Sequence, residues 1–166
     1  MQACQSLPLV SAGRFIIKEV FWKGEIMTDQ EWRDKLKNGI ERLRHGNEIM
    51  IALDPEIKDL DGDTMEVTIA FEPKSWMANE FGKMSGAASA ALMETAVAIS
   101  AQAIMDDNVT LDMNISYLRE MSIEGTICTK VTAVKPGRQI LRLRGEMYDG
   151  RTGKLAVLAA LNIMKI

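Results

Sequence analysis

Two periods of apolar and polar residues run along the chain and assign most of its elements. After Met27 the chain reads TDQEWRDKLKNGIERLRHGN, with Trp32, Leu36, Ile40 and Leu43 at steps of 4, 4 and 3. That spacing lays one apolar stripe along a helix. Thr28 and Glu31 have the spacing of a capping box, where each side chain satisfies a free backbone N–H at the helix start. Gly46 supplies the stop. Further on, Met65, Val67, Ile69 and Phe71 alternate with Glu66, Thr68 and Ala70, the period of a strand with one buried face. Asp61-Gly62-Asp63 supplies turn chemistry before it, so 49–60 is expected to hold the partner strand. From Ser85 to about Met105 no proline interrupts, and bulky residues recur at Leu92, Met93, Val97, Ile99 and Ile104, which predicts a long helix. Four strand-like stretches follow, 109–117, 126–135, 139–148 and 154–166. In the third, Leu141, Leu143, Gly145 and Met147 alternate with Arg142, Arg144, Glu146 and Tyr148. Lys135-Pro136-Gly137-Arg138 and Asp149-Gly150-Arg151-Thr152-Gly153 read as hairpin turns. Helix, hairpin, long helix and a run of antiparallel strands is an α+β order, with a helix laid on one face of a sheet. No internal repeat, low-complexity segment or linker interrupts it.

The long helix has an unusual composition. Twelve of the nineteen residues from Ser85 to Ala103 are Gly, Ala or Ser, and one acid, Glu94, sits among them. A slender, alanine-rich helix suits a core wrapped by a strongly curved sheet. That accounts for the small residues and leaves Glu94 unexplained, because a carboxylate among Ala90, Ala91, Met93, Ala96 and Val97 is costly to bury unpaired. Just upstream, Ser85-Gly86 opens the helix, where free N–H groups and the positive dipole end suit an oxygen that gains negative charge. Acid and amides are eight residues apart, roughly 12 Å of helix rise. One chain cannot bring both to one reacting group. Two such helices packed antiparallel across a two-fold axis can, so if both groups act on one substrate a homodimer with two equivalent interface sites is expected.

The remaining composition narrows the choices. At 166 residues the chain is one domain with room for a core, and 47% apolar with 26% charged residues is globular usage. A net charge of −3 with both signs dispersed argues against a nucleic-acid partner. No unbroken apolar run reaches roughly 18 residues, so neither a transmembrane helix nor a membrane partner is expected. Cys4 and Cys128 are too few for a disulfide framework; Cys128 reads as a small apolar filler and the setting as reduced and cytoplasmic. One histidine, His45, disfavours a Ser-His-Asp hydrolase or a histidine metal site and reads as complementing a helix dipole. The acids of DLDGD miss the EF-hand spacing, and no metal or other cofactor is expected.

Residues 1–26 lack clean periodicity and the apolar core of a signal peptide. Because a complete helix begins directly after Met27, and Lys23-Gly24-Glu25 can be encoded by a purine run resembling a ribosome-binding site, residues 1–26 are read as translated leader and 27–166 as the single domain. The alternative is an ordinary extension that packs against a neighbouring subunit.

From Asn79 the chain runs Glu80, Phe81, Gly82, Lys83, Met84, Ser85, Gly86 and Ala87, then reaches Glu94. This resembles the hot-dog-fold thioesterases, in particular their phenylacetyl-CoA thioesterase-like branch, whose pattern is N-x5-H-G-G with an acid eight residues after the first glycine. TLDMNISYLREMSIEGT, from Thr110 to Thr126, is similar to the family's T-x-D/E-x-x-I-x-Y-L-R-P segment. VKPGRQI and GRTGKLAVLAAL resemble its last two strands. The resemblance covers about residues 45 to 166. It implies a sheet wrapped around the long helix, a dimer that can pair into a tetramer, and hydrolysis of acyl-CoA thioesters. By position, Glu94 would be general base or nucleophile, the Gly86 N–H would hold the thioester oxygen, and Asn79 would orient the carbonyl or the water. Thr110 stands where the family often has a hydroxyl near the water. Arg138 falls in a turn where basic residues meet CoA phosphates. Met84 and Met93 line an acyl pocket or simply fill the core.

Two departures stand out. Ser85 occupies the usual histidine position; its hydroxyl can donate a hydrogen bond or cap the helix but supplies no imidazole. Ala87 replaces the second glycine. A hot-dog module that binds an acyl thioester without cleaving it is therefore the alternative function, and a ligand-free structural dimer a third. Plainer readings also stand for Asn79, as a loop cap, and for Arg138, Arg142 and Arg144, as a solvated face.

Overall fold

Thr28 and Glu31 close the capping box: Thr28 Oγ1 accepts from the Glu31 N–H at 3.3 Å and Glu31 Oε2 from the Thr28 N–H at 2.7 Å. The computed structural model describes residues 28–62, 64–135 and 137–166. The leader reading of 1–26, the start at Met27, and two turn residues, Asp63 and Pro136, lie outside them.

Helix α1 (Asp29–Arg44) buries Trp32, Leu36 and Ile40 on the expected stripe, while its C-cap His45 is exposed. Residues 49–60, expected as one strand, divide in two. Asn47 accepts from the Met50 N–H at 3.2 Å and starts the short helix α2 (Glu48–Leu53), which buries Met50 and Leu53. Asp54, left-handed at φ 47°, turns the chain into strand β1 (Glu56–Asp61). Strand β2 (Glu66–Phe71) pairs antiparallel with β1. A 3-10 turn (Ser75–Met77) and a loop lead into the long helix α3 (Gly86–Met105). Strands β3 (Asn108–Tyr117), β4 (Ile127–Lys135), β5 (Ile140–Tyr148) and β6 (Leu155–Lys165) complete one six-stranded antiparallel sheet in the order β1-β2-β4-β5-β6-β3.

The sheet wraps α3 with the alternation the sequence shows. Val67, Ile69 and Phe71 of β2, Leu141, Leu143 and Met147 of β5, and Ala159, Leu161 and Ile163 of β6 are all buried. By length and apolar composition α3 would pass for a membrane span, against the expectation from the sequence. It is instead the core helix, most of it buried within the protein. Gly145 shows how closely the layers meet: a Cβ there would come within 2.2 Å of Met93 Sδ. A glycine in the middle of β5 therefore opens a hollow that Met93 fills. Thr129, also in this core, has a fully enclosed hydroxyl with no hydrogen-bond partner among the described residues. Cys128 is buried on β4 as expected of a filler.

Strand β3 is an edge. It pairs with β6 alone, and it exposes Val109, Leu111 and Tyr117. A ten-residue edge with unpaired backbone groups and apolar side chains is a surface that proteins ordinarily cover.

Candidate active site

The loop before α3 is folded around one side chain. Asn79 Oδ1 accepts from the N–H groups of Phe81 at 3.0 Å and Lys83 at 3.1 Å. The Asn79 N–H donates to the Lys83 carbonyl at 2.7 Å, and Gly82 takes the positive φ of 68° that the turn requires. Loop capping therefore occupies the Asn79 carbonyl. Backbone bonds from Met84 to Met121, 3.0 Å, and from Ser85 to Met77, 2.8 Å, fix the loop to its neighbours.

Ser85 is the helix N-cap. Its Oγ accepts from the Ala88 N–H at 3.1 Å and its carbonyl accepts from the Ser89 N–H at 3.0 Å. The next two amides, of Gly86 and Ala87, have no acceptor among the described residues, and both residues are exposed. The alanine in place of a second glycine keeps this donor, because the donor is backbone. Tyr117 Oη donates to the Gly86 carbonyl at 2.9 Å, so the first turn is held from the edge strand.

Glu94 is half-buried in mid-helix, and its Oε1 accepts from Thr110 Oγ1 at 2.6 Å. A regular strand would send positions 110 and 117, an odd number apart, to opposite faces. The register shift between Thr110 and Asp112 removes the conflict, and both side chains reach α3. One strand thus grips the helix at its amide end and at its acid.

A cavity of about 500 Å³ opens at the amide end, lined by Asn79, Phe81, Lys83, Met84, Gly86, Ser89, Tyr117, Arg119, Glu120, Met121 and Val157. Glu94 is not among its walls. The chain therefore brings Asn79, Met84 and Gly86 together, keeps Glu94 with Thr110, and does not join the two groups. Met93 is enclosed against Gly145 and is not among the walls of this cavity. Arg138 is exposed in the β4–β5 turn, beside Gln139, whose carbonyl accepts from Lys165 N–H at 2.9 Å. Lys165 pairs with Asn108, so this turn sits at the far end of β3 from Tyr117 and the cavity. Arg142 and Arg144 are exposed on the outer face, as a solvated strand face would be.

Behind the cavity loop stands a buried acid. Asp149 Oδ2 accepts from the Ser122 N–H at 2.6 Å, and Oδ1 from the Thr152 N–H and hydroxyl at 2.7 and 2.6 Å. Burial pushes this carboxyl up, but the bonds from the Thr152 side chain and from the Ser122, Thr152 and Arg151 backbone outweigh it and hold the group below its ordinary value. Ser122 bridges to Lys83, so Asp149 links the β5–β6 turn to the site loop.

The thioesterase superfamily family model matches residues 81–156, a span containing Gly86, Glu94, Thr110 and Tyr117. No curated protein matches by sequence. Among solved structures, the E. coli PaaI protein from the phenylacetic acid degradation operon aligns over 80% of this chain and 94% of its own, at 17% identity and a TM-score of 0.70. A putative thioesterase from Ralstonia eutropha JMP134, a phenylacetic acid degradation-related protein, aligns over 76% and 99%, at 22% identity and a TM-score of 0.66. A hypothetical thioesterase from Streptococcus pneumoniae TIGR4, solved with coenzyme A, aligns over 66% and 86%, at 19% identity and a TM-score of 0.59. At these identities the structural likeness speaks for the fold. The chain therefore has the hot-dog fold of these structures, and over residues 81–156, which hold α3 and strands β3, β4 and β5, its sequence is similar to the thioesterase superfamily.

Proposed function

We propose that the protein hydrolyses acyl-CoA thioesters at two equivalent sites between the subunits of a homodimer. The observation that carries this reading is the 2.6 Å bond from Thr110 to Glu94, which orients a lone acid on an otherwise small-residue helix. With Oε1 engaged, Oε2 is left for a water. Glu94 takes a proton from that water as its oxygen attacks the thioester carbon. The carbonyl oxygen gains negative charge and is held by the Gly86 N–H, a donor already in place before reaction. The tetrahedral intermediate then expels sulfur, the C–S bond breaks, and the proton returns from Glu94 to give thiol and carboxylic acid. Asn79 contributes through Nδ2, since its carbonyl is bound into the loop.

Acid and amide are roughly 12 Å apart along one helix, so each site takes Glu94 from one protomer and the amide from Gly86 of the partner subunit. The exposed edge of β3 supports that arrangement. Antiparallel pairing of two β3 edges across a two-fold axis continues the sheet and sets the two α3 helices antiparallel. An axis near the middle of β3 brings Thr110 of one copy toward the Tyr117 end of the other. Two such dimers can pair into a tetramer without altering the site.

Glu94→Gln tests the role directly: thiol release from a panel of acyl-CoAs should fall about 10²- to 10⁴-fold while the dimer persists. Unchanged turnover would remove Glu94 from the mechanism. Ser85 favours one other reading, since it serves as an N-cap where the family has histidine. A module that holds an acyl thioester without cleaving it would be stabilised by acyl-CoA in thermal unfolding and would release no thiol.

A further inference from the structure

The amides of Gly86 and Ala87 have no acceptor among the described residues, yet the carbonyl end of each peptide group is engaged by a side-chain hydroxyl. The Gly86 N–H shares its peptide with the Ser85 carbonyl. That oxygen accepts from Ser89 Oγ at 3.1 Å in addition to the Ser89 N–H at 3.0 Å. The Ala87 N–H shares its peptide with the Gly86 carbonyl, which accepts from Tyr117 Oη at 2.9 Å. Ser89 and Tyr117 both line the cavity beside Gly86. We propose that Ser89 and Tyr117 are positioning residues that polarise these two peptides and make their amides a two-donor oxyanion hole. This rests on the thioesterase reading and deepens it.

Amide resonance is the means. The C–N bond has partial double-bond character, so electron density drawn to the carbonyl oxygen leaves the nitrogen, and its N–H becomes a stronger donor. The bond itself is ordinary for a helical serine, and its position is what counts. Ser100 Oγ donates to the Ala96 carbonyl at 2.9 Å in the middle of α3, where N–H groups are taken up by the helix ladder. Ser89 makes the same bond to the first turn, where N–H groups are open and point out of the helix end toward one oxygen beyond it. Ser89 is 2% exposed, so water does not compete for its hydroxyl. Tyr117 acts from outside the helix. A Cβ at Gly86 would lie 3.6 Å from Tyr117 Cζ and 3.7 Å from its Oη, so the glycine lets the ring close on the turn. Neither hydroxyl is required to start the helix, because Ser85 Oγ caps it through the Ala88 N–H.

The test deletes each hydroxyl, with Ser100→Ala as the same deletion away from the open amides. Ser89→Ala and Tyr117→Phe should each lower kcat for an acyl-CoA about two- to fivefold with KM little changed. The double variant should be slower than either, and Ser100→Ala should match wild type. A ketone analogue of the acyl-CoA, with a methylene in place of the thioester sulfur, gives a second readout that needs no turnover. Bound to wild type, its carbonyl should absorb at a lower infrared frequency than in water. Ser89→Ala and Tyr117→Phe should each raise that frequency, and Ser100→Ala should not. A fall in kcat with an unmoved carbonyl frequency, a loss carried by KM, or an equal effect of Ser100→Ala overturns the proposal. A shift for Ser89→Ala beside none for Tyr117→Phe overturns the second donor and leaves Gly86 alone. Wild-type protein that binds the ketone but releases no thiol from the thioester would sink the hydrolase reading instead. The carbonyl frequencies would then still decide the two hydroxyls.

Discussion

The Thr110 hydroxyl donates to Glu94 Oε1 across 2.6 Å and ties the edge strand of the sheet to the middle of its core helix. On the proposed mechanism the bond leaves Oε2 as the oxygen that takes the proton from water. Thr110→Val keeps the side-chain shape and removes the donor, and the loss of one hydrogen bond to a charged group costs about 1.5–3 kcal/mol. Steady-state thiol release should fall roughly 10- to 100-fold, with Thr110→Ser close to wild type. Equal rates for Val and Ser would show that the bond does not orient the acid.

Asp149 reaches the site through the backbone. Its folded carboxyl lies below the ordinary aspartate value, where hydrogen bonds outweigh burial. A depressed acid stabilises the fold above its unfolded pKa, about 3.9. That contribution falls away as pH drops through the lower folded value. Asp149→Asn should flatten this acid limb and, by weakening the bond to Ser122, cost about 1–3 kcal/mol at neutral pH. Urea midpoints from pH 7 down to pH 3 check both. Parallel curves for variant and wild type would remove Asp149 as the group responsible.

Thr129 makes the opposite case. Its enclosed hydroxyl has no partner among the described residues, so its desolvation is uncompensated. Thr129→Val should raise stability by about 1 kcal/mol, read as a higher denaturant midpoint at unchanged slope. Thr129→Ser keeps the hydroxyl and deletes a methyl, and should lower it.

Local chemistry was legible where it was regular. The Thr28–Glu31 box, the stripe on α1 and the alternation along β2 and β5 lie where their spacing puts them. Asn47 was harder: one capping side chain started α2 inside a run whose apolar content reads equally as strand. Tyr117 escaped for a different reason. Its distance from Thr110 puts it on the wrong face of an ideal strand, and a register shift between them reverses that. The separation of acid and amides needed only the helix rise, so the two-chain site could be argued before any coordinates. Which cation meets the cavity could not, because that depends on the direction in which the strand ends.

Gly86 offers a clean way to test the shared site. It is the first residue of α3, where proline is well tolerated because its missing N–H has no intrahelical partner. Ser85, at φ −70° and ψ 149°, already has the backbone that precedes a proline. A Cβ at position 86 would meet the Tyr117 ring at 3.6 Å, an ordinary contact. On the proposed mechanism, Gly86→Pro should therefore keep the helix and the proposed dimer but delete the oxyanion donor, lowering kcat about 10²- to 10³-fold. Glu94→Gln should be similarly slow. If each site joins Glu94 of one protomer to the amide of the other, a dimer of one chain of each kind has one site with both defects and one with none. Unfolding and refolding the two inactive variants together in equal amounts should then recover roughly a quarter of wild-type activity, since about half of randomly paired dimers are mixed and each carries one intact site. A mixture no faster than its components would mean that acid and amide act within one chain, or not on the same substrate.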